Sequence, residues 1–331
     1  MKNGATFVPY KGLSYNDIGI VPRLGIVKSR SEIPYEGFRV IVAGMSSVIG
    51  EEFLKEWRDL PNELRCSIHI PRDKNSIKHL KMIAEWGLQN WIFVGVGLKT
   101  PEIEDIAVEL GYKNVLLDIA FGGLPQLKNA ITKLKIKFGS DAVIATGSIS
   151  TEEQAHYLDS IGVNIFRTGM AVGKVCSSKV IAGAYMGTVT ELKNISSYID
   201  NREDIFIMAD GGFQYPGDFI KAFLLGASYC MSGYIFTKCK SAQMHIDGTN
   251  EYYGMSNKNR GIRAGETTYD ESFVKKSDDK NLYSLFDLLT KLWGGIRSGV
   301  SYSGYASLNE SIGNGTFIEL KVPISDELSV W

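Results

Sequence analysis

The chain has 331 residues, 44% of them hydrophobic and 22% charged, with 36 Lys and Arg against 37 Asp and Glu. That balance excludes disorder, collagen and coiled coil, and a formal net charge of -1 leaves no electrostatic footprint for nucleic acid or an anionic membrane. Its apolar runs fall short of the ~20 residues that a membrane helix needs, so neither kind of partner is expected.

The first 36 residues form an arm of polar and turn residues without the basic-then-apolar order of a signal peptide, which points to a cytoplasmic protein. The four cysteines, Cys66, Cys176, Cys230 and Cys239, show no CxxC or zinc spacing and read as free thiols. Short apolar or β-branched runs bounded by turn residues then recur at 39–43, 65–70, 91–96, 115–119, 142–146, 164–168, 205–209 and 228–232. Amphipathic stretches of helical length lie between them, at 51–57, 76–86, 101–110, 124–138, 151–161 and 216–225. Strands that are apolar throughout are buried on both faces, as parallel strands are when helices cover them. Eight such units predict one closed (β/α)8 TIM barrel spanning 1–331, in preference to an open doubly wound sheet. Residues 255–280 are rich in Gly, Ser and charge with little periodicity, and are expected to form a long mobile loop acting as a lid. A helical pattern resumes at 282–293, and Gly294-Gly295 is expected to end it.

A barrel of this kind builds its site from the loops that follow its strands, and the loops after strands seven and eight commonly hold phosphate. After strand seven comes Ala209-Asp210-Gly211-Gly212, where two glycines admit an anion and Asp210 can accept from sugar hydroxyls. Strand eight is followed by Met231-Ser232-Gly233-Tyr234, which repeats the close-approach glycine. Strand six leads into Gly169-Met170-Ala171-Val172-Gly173-Lys174-Val175-Cys176-Ser177-Ser178-Lys179, where hydroxyls and two lysines surround a cysteine at a strand's C-terminal end. That setting favours a thiolate nucleophile, although single cysteines are usually small core residues. Cys230, inside an apolar strand, is assigned to the core.

Taken together with Tyr15-Asn16-Asp17-Ile18, Val27-Lys28-Ser29-Arg30-Ser31-Glu32, Leu117-Asp118-Ile119-Ala120, Tyr253-Gly254-Met255-Ser256 and Gly294-Gly295-Ile296-Arg297-Ser298-Gly299, these loops resemble the IMP dehydrogenase and GMP reductase family almost end to end. The likeness leans to the reductase. The regulatory domain of ~120 residues that a dehydrogenase usually inserts is missing, and such an insert is far longer than an ordinary βα loop. Arg263-Ala264-Gly265-Glu266 looks like the reductase's catalytic segment. The resemblance implies reductive deamination of GMP to IMP with NADPH through a covalent bond to Cys176, with Ser178 and Glu266 relaying the proton that ammonia takes away. By the same resemblance Asp210 binds the ribose, Gly211, Gly212, Gly233 and Tyr234 bind the phosphate, and Gly254, Met255, Ser256 and Arg263 bind the base. Ser29, Arg30, Asp118, Ile119, Ala120, Ser298, Gly299, Val300 and Ser301 would contact the cofactor, and the protein would assemble as a homotetramer. The family also holds a monovalent cation, K+, near Gly173; here Lys174 stands where Ser is usual and is expected to reach the phosphate or take the cation's place.

This chain departs from the family pattern at Gly44-Met45-Ser46, Ile70, Phe121 and Gly147-Ser148, and within the cysteine loop at Ala171, Val172 and Lys174. These positions gather around the expected purine and nicotinamide rings. Two further readings therefore stay open: an IMP dehydrogenase-like enzyme, or one for a modified or deoxy purine nucleotide; and a catalytically silent nucleotide-binding barrel.

Overall fold

In the strand Val40–Val42, Val40 and Val42 face outward against helices while Ile41 points to the barrel axis, so all three are buried. Burial on both faces in this way explains why most of the barrel strands read as largely apolar runs. The computed structural model describes residues 11–173, 175, 176, 178–199, 202–255, 257, 273–277 and 281–321.

A short strand of the arm, β1 (Ile18–Ile20), precedes the barrel. The barrel strands are β2 (Val40–Val42), β3 (Ser67–Ile70), β4 (Ile92–Val96), β5 (Asn114–Leu117), β6 (Val143–Gly147), β7 (Ile165–Thr168), β8 (Phe206–Asp210) and β9 (Tyr229–Ser232). All are parallel, and β2 pairs with β9 to close the ring. Ile41, Phe93, Leu116, Ile165, Met208 and Met231 fill its interior. The expected eight strands are therefore the observed eight, in a (β/α)8 TIM barrel.

Helices α1 (Glu51–Arg58), α2 (Ser76–Glu85), α3 (Pro101–Glu109), α4 (Leu127–Phe138) and α5 (Glu152–Ser160) follow β2 to β6 in turn. The cysteine loop leads into α6 (Ser178–Ile181) and then α7 (Thr188–Tyr198), which no sequence signal had marked. Helix α8 (Pro216–Leu224) follows β8, and a short α9 (Gln243–Ile246) follows β9. Strand β10 (Glu251–Tyr253) pairs antiparallel with β11 (Val274–Lys276), so part of the expected loop at 255–280 is sheet.

Gly294-Gly295 does not end the last long helix: α10 runs Leu285–Tyr302 straight through it. The reason is packing. A Cβ on Gly295 would strike the Pro216 ring, and one on Gly299 would come within 2.7 Å of Ile220, so glycines four residues apart let α10 lie close on α8. Helix α11 (Leu308–Ser311) and strand β12 (Phe317–Glu319) finish the described chain, with β12 pairing antiparallel to β1.

Candidate active site

Four barrel strands deliver charged or polar side chains to one spot at their C-terminal ends. Arg167, next to last in β7, has Nη1 3.2 Å from Asp210 at the end of β8 and 3.4 Å from Asp118, just past β5. Its Nη2 donates to the Ile119 carbonyl at 2.5 Å. Arg72, beyond β3, brings Nε to 3.6 Å from the Asp118 carboxylate and donates through Nη2 to the Asp118 carbonyl at 3.0 Å. His69 of β3 completes the group: its Nδ1 accepts from Gly44 N–H at 3.2 Å, and its buried Nε2 closes no hydrogen bond.

Electrostatics divide these groups. Burial pushes the His69 pKa down to about 4, and Arg167 and Arg72 add to this against the opposing pull of Asp118. The ring is thus neutral at pH 7, with its proton on Nε2. Burial works to raise the pKa of Asp118, but Arg167, His69 and Arg72 together outweigh it and hold the carboxyl below its ordinary value. Asp210 goes the other way: burial and the Asp118 charge raise it to about 6 in spite of Arg167.

This cluster forms the wall between two adjoining cavities of about 240 and 440 Å³. Asp118, Arg167, Gly173, Asp210, Gly211 and Met255 border both, so the two form a single two-lobed cleft. Gly212, Gly233 and Tyr234, expected at a phosphate, line the smaller lobe with Gly44, Met45 and His69. Gly211 N–H, which the sequence reading aimed at an anion, donates instead to the Met231 carbonyl at 2.9 Å. Beyond Gly233 a short 3-10 helix, Ile235–Lys238, begins beside this lobe. The larger lobe is lined by Cys176, Ile119, Ala120, Phe121, Ser148 and Met170. Cys176 is half-buried, whereas Cys66, Cys230 and Cys239 are buried in the core, and burial raises the thiol pKa of all three. Ala171, in the cysteine loop, holds a left-handed φ of 62° that glycine would take more readily.

Beside Cys176 the larger lobe has an apolar edge of Ile119, Ala120, Phe121 and Met170, opposite the charged wall of Asp118, Arg167 and Asp210. The other expected cofactor contacts lie elsewhere. Arg30 Nη1 donates to Ser298 Oγ at 2.7 Å, bringing those two segments together with Ser29, which caps the turn at Arg30–Glu32. Ser298, Gly299, Val300 and Ser301 belong to α10, with Val300 fully buried, and they line neither cavity. Gly254 accepts from Asn257 N–H at 3.1 Å, next to Met255 in the cleft. Lys174, Ser256, Arg263 and Glu266 lie outside the described residues, as does the side chain of Ser178. Sequence reasoning did not single out Arg167, Arg72 or His69; for Arg167 and His69 a cation or imidazole inside a strand was the available signal.

Comparison with known proteins agrees with this architecture. Residues 90–327 match the IMP dehydrogenase / GMP reductase domain. The GMP reductase of Staphylococcus saprophyticus is 29% identical over 316 residues, covering 90% of this chain and 93% of that protein. The GMP reductase of Mesoplasma florum is 27% identical over 309 residues, 89% of this chain and 93% of the relative. The inosine-5'-monophosphate dehydrogenase of Borreliella burgdorferi is 28% identical over 287 residues, and the match spans 82% of this chain but 64% of that relative. With a closed eight-stranded barrel, a cysteine facing the cleft and a domain match over most of its length, the chain belongs to the IMP dehydrogenase / GMP reductase family.

Proposed function

We propose that this protein reduces GMP to IMP and ammonia at the expense of NADPH. The observation that carries the reading is the position of Cys176, half-exposed in the same cleft as Asp210 and Gly211. The nucleotide phosphate would sit against Gly212, Gly233 and Tyr234, the ribose at Asp210, and the purine over the sulfur. A Cys176 thiolate would attack C2 of the purine, and the C2–N bond would break as the amine takes a proton. Ser178 and Glu266 are proposed to supply that proton. NADPH, when bound, supplies the hydride that replaces sulfur at C2 and is itself oxidised to NADP+. Ile119, Ala120 and Phe121 would hold the nicotinamide end and keep water from the covalent intermediate. Arg167 would keep Asp118 and Asp210 fixed while the ring changes.

Two relatives named GMP reductase match over about nine-tenths of both chains, which favours this reaction over oxidation of IMP. Potassium is proposed to be dispensable, with Lys174 serving near Gly173. Among the described residues no helix is long and apolar enough to cross a membrane; a cytoplasmic homotetramer is the proposed working form. The test is NADPH absorbance with GMP, set beside NAD with IMP. Consumption in the first assay supports the reductase, and NADH production in the second replaces it with the dehydrogenase. Nucleotide binding without either change identifies a silent barrel.

A further inference from the structure

Glu191, on α7, is fully buried, and the chemistry above makes no use of it. Its Oε2 accepts from the backbone N–H of Gly169 at 3.0 Å and of Met170 at 3.2 Å, the first two residues past β7. Those amides begin the loop that carries Cys176. The Ser150 hydroxyl and the Met186 backbone also lie against the carboxyl and favour its charged form. Burial still outweighs these partners, so the charged carboxyl costs stability in the folded protein. Its presence therefore calls for a role other than holding the fold together.

We propose that Glu191 is a positioning residue whose carboxylate clamps the root of the cysteine loop and sets where Cys176 enters the cleft. The inference rests on Cys176 being the reactive thiol. Gly169, with φ of 96°, lies against the Asp210 backbone so closely that a Cβ there would strike the Asp210 carbonyl. The clamp thus fixes the cysteine loop against the β8 end that supplies Asp210.

Burial pushes the Glu191 pKa up to about 7, while the Gly169, Ser150, Met170 and Met186 groups pull it down. The charged residues around it bear on it in different ways. From the arm, Tyr15 senses the Glu191 charge, as it does that of Asp218 on α8. Lys221 of α8 donates to the Tyr15 carbonyl at 2.8 Å. His156 and Asp159 of α5 meet α7 at Tyr198, two turns away. Arg167 of β7 and Asp210 of β8 face the cleft. A charged acceptor holds an N–H about twice as strongly as a neutral one, so the clamp tightens as pH rises through 7.

The test is the rate at which iodoacetamide alkylates Cys176, read by peptide mass spectrometry in the intact protein and in Glu191→Gln. It needs no turnover, so it stands even if the GMP reaction is not found. Glu191→Gln keeps an acceptor oxygen and removes the charge. The variant-to-parent rate ratio should be near one at about pH 6 and at least roughly threefold at about pH 8, because only the parent changes charge between them. The melting temperature of Glu191→Gln at the higher pH should equal or exceed the parent's. A ratio that does not vary with pH, or a melting temperature that falls along with it, would overturn the proposal.

Discussion

Arg167 and Asp210 stand on neighbouring strands of the barrel and meet at 3.2 Å where β7 and β8 end, with 9% of the arginine side chain exposed. The guanidinium is the common partner of Asp210 and Asp118, and removing it leaves two carboxylates facing each other in a confined space. Breaking such a pair from one side typically costs about 3 kcal/mol or more. Arg167→Met should lower the urea midpoint accordingly and weaken GMP binding. Arg167→Lys should keep part of the stability and lose affinity, since an ammonium cannot fork between two carboxylates. Equilibrium unfolding and calorimetric titration of GMP check both.

Asp210 should give the acid limb of nucleotide binding. Its pKa of about 6 means that the carboxylate expected to accept from ribose hydroxyls is lost as pH falls below that value. Affinity for GMP should decline in the same window. Asp210→Asn should flatten that limb and bind GMP about tenfold more weakly than the parent above pH 6, from the loss of a charged acceptor. The stability sign is the reverse. The folded pKa lies above the ordinary value of 3.8, so Asp210 costs nothing below about pH 4, costs progressively more up to about pH 6, and a constant amount beyond. Asp210→Asn should therefore melt at or above the parent temperature at neutral pH.

Cys176→Ser should bind GMP with near-parental affinity and lose turnover by about a thousandfold or more, as expected when a covalent route is removed. Titration calorimetry and steady-state kinetics read the two quantities separately. Serine substitution of Cys230, which is fully buried in β9, should lower stability and leave the chemistry in place.

The paired glycines of α10 should respond unequally to alanine. Nothing lies within 4 Å of a Cβ on Gly294, so Gly294→Ala should be neutral or stabilise by up to about 1 kcal/mol through helix propensity. Gly299→Ala pushes into Ile220 and should destabilise by about 1–3 kcal/mol. Chemical denaturation of the two variants checks the contrast.

That contrast also explains what could be read from the chain. Ile41, Leu116 and Met208 were legible as strand residues because parallel strands buried on both faces leave unbroken apolar runs. That Cys176 would line the cleft was legible because it sits in a glycine-bounded loop after such a run. The continuity of α10 was not, since Gly294-Gly295 carries the same local signal whether it stops a helix or admits a neighbour; only Pro216 and Ile220, far away in sequence, decide between them. Helix α7 escaped notice because Thr188, Thr190 and Glu191 are polar residues on its buried side. Arg167 and His69 were hidden for the opposite reason, as polar side chains inside strands whose surroundings are apolar. The β1 to β12 pairing joins two three-residue strands, too short for any period to show.

The most direct test of the central claim follows the hydride. The protein is incubated with GMP and NADPH deuterated at the transferred position, and the nucleotide product is analysed by mass spectrometry and proton NMR. Reductive deamination at Cys176 predicts IMP carrying deuterium at C2, with no such product from Cys176→Ser. IMP formed without deuterium, or labelled IMP formed equally well by Cys176→Ser, would contradict it.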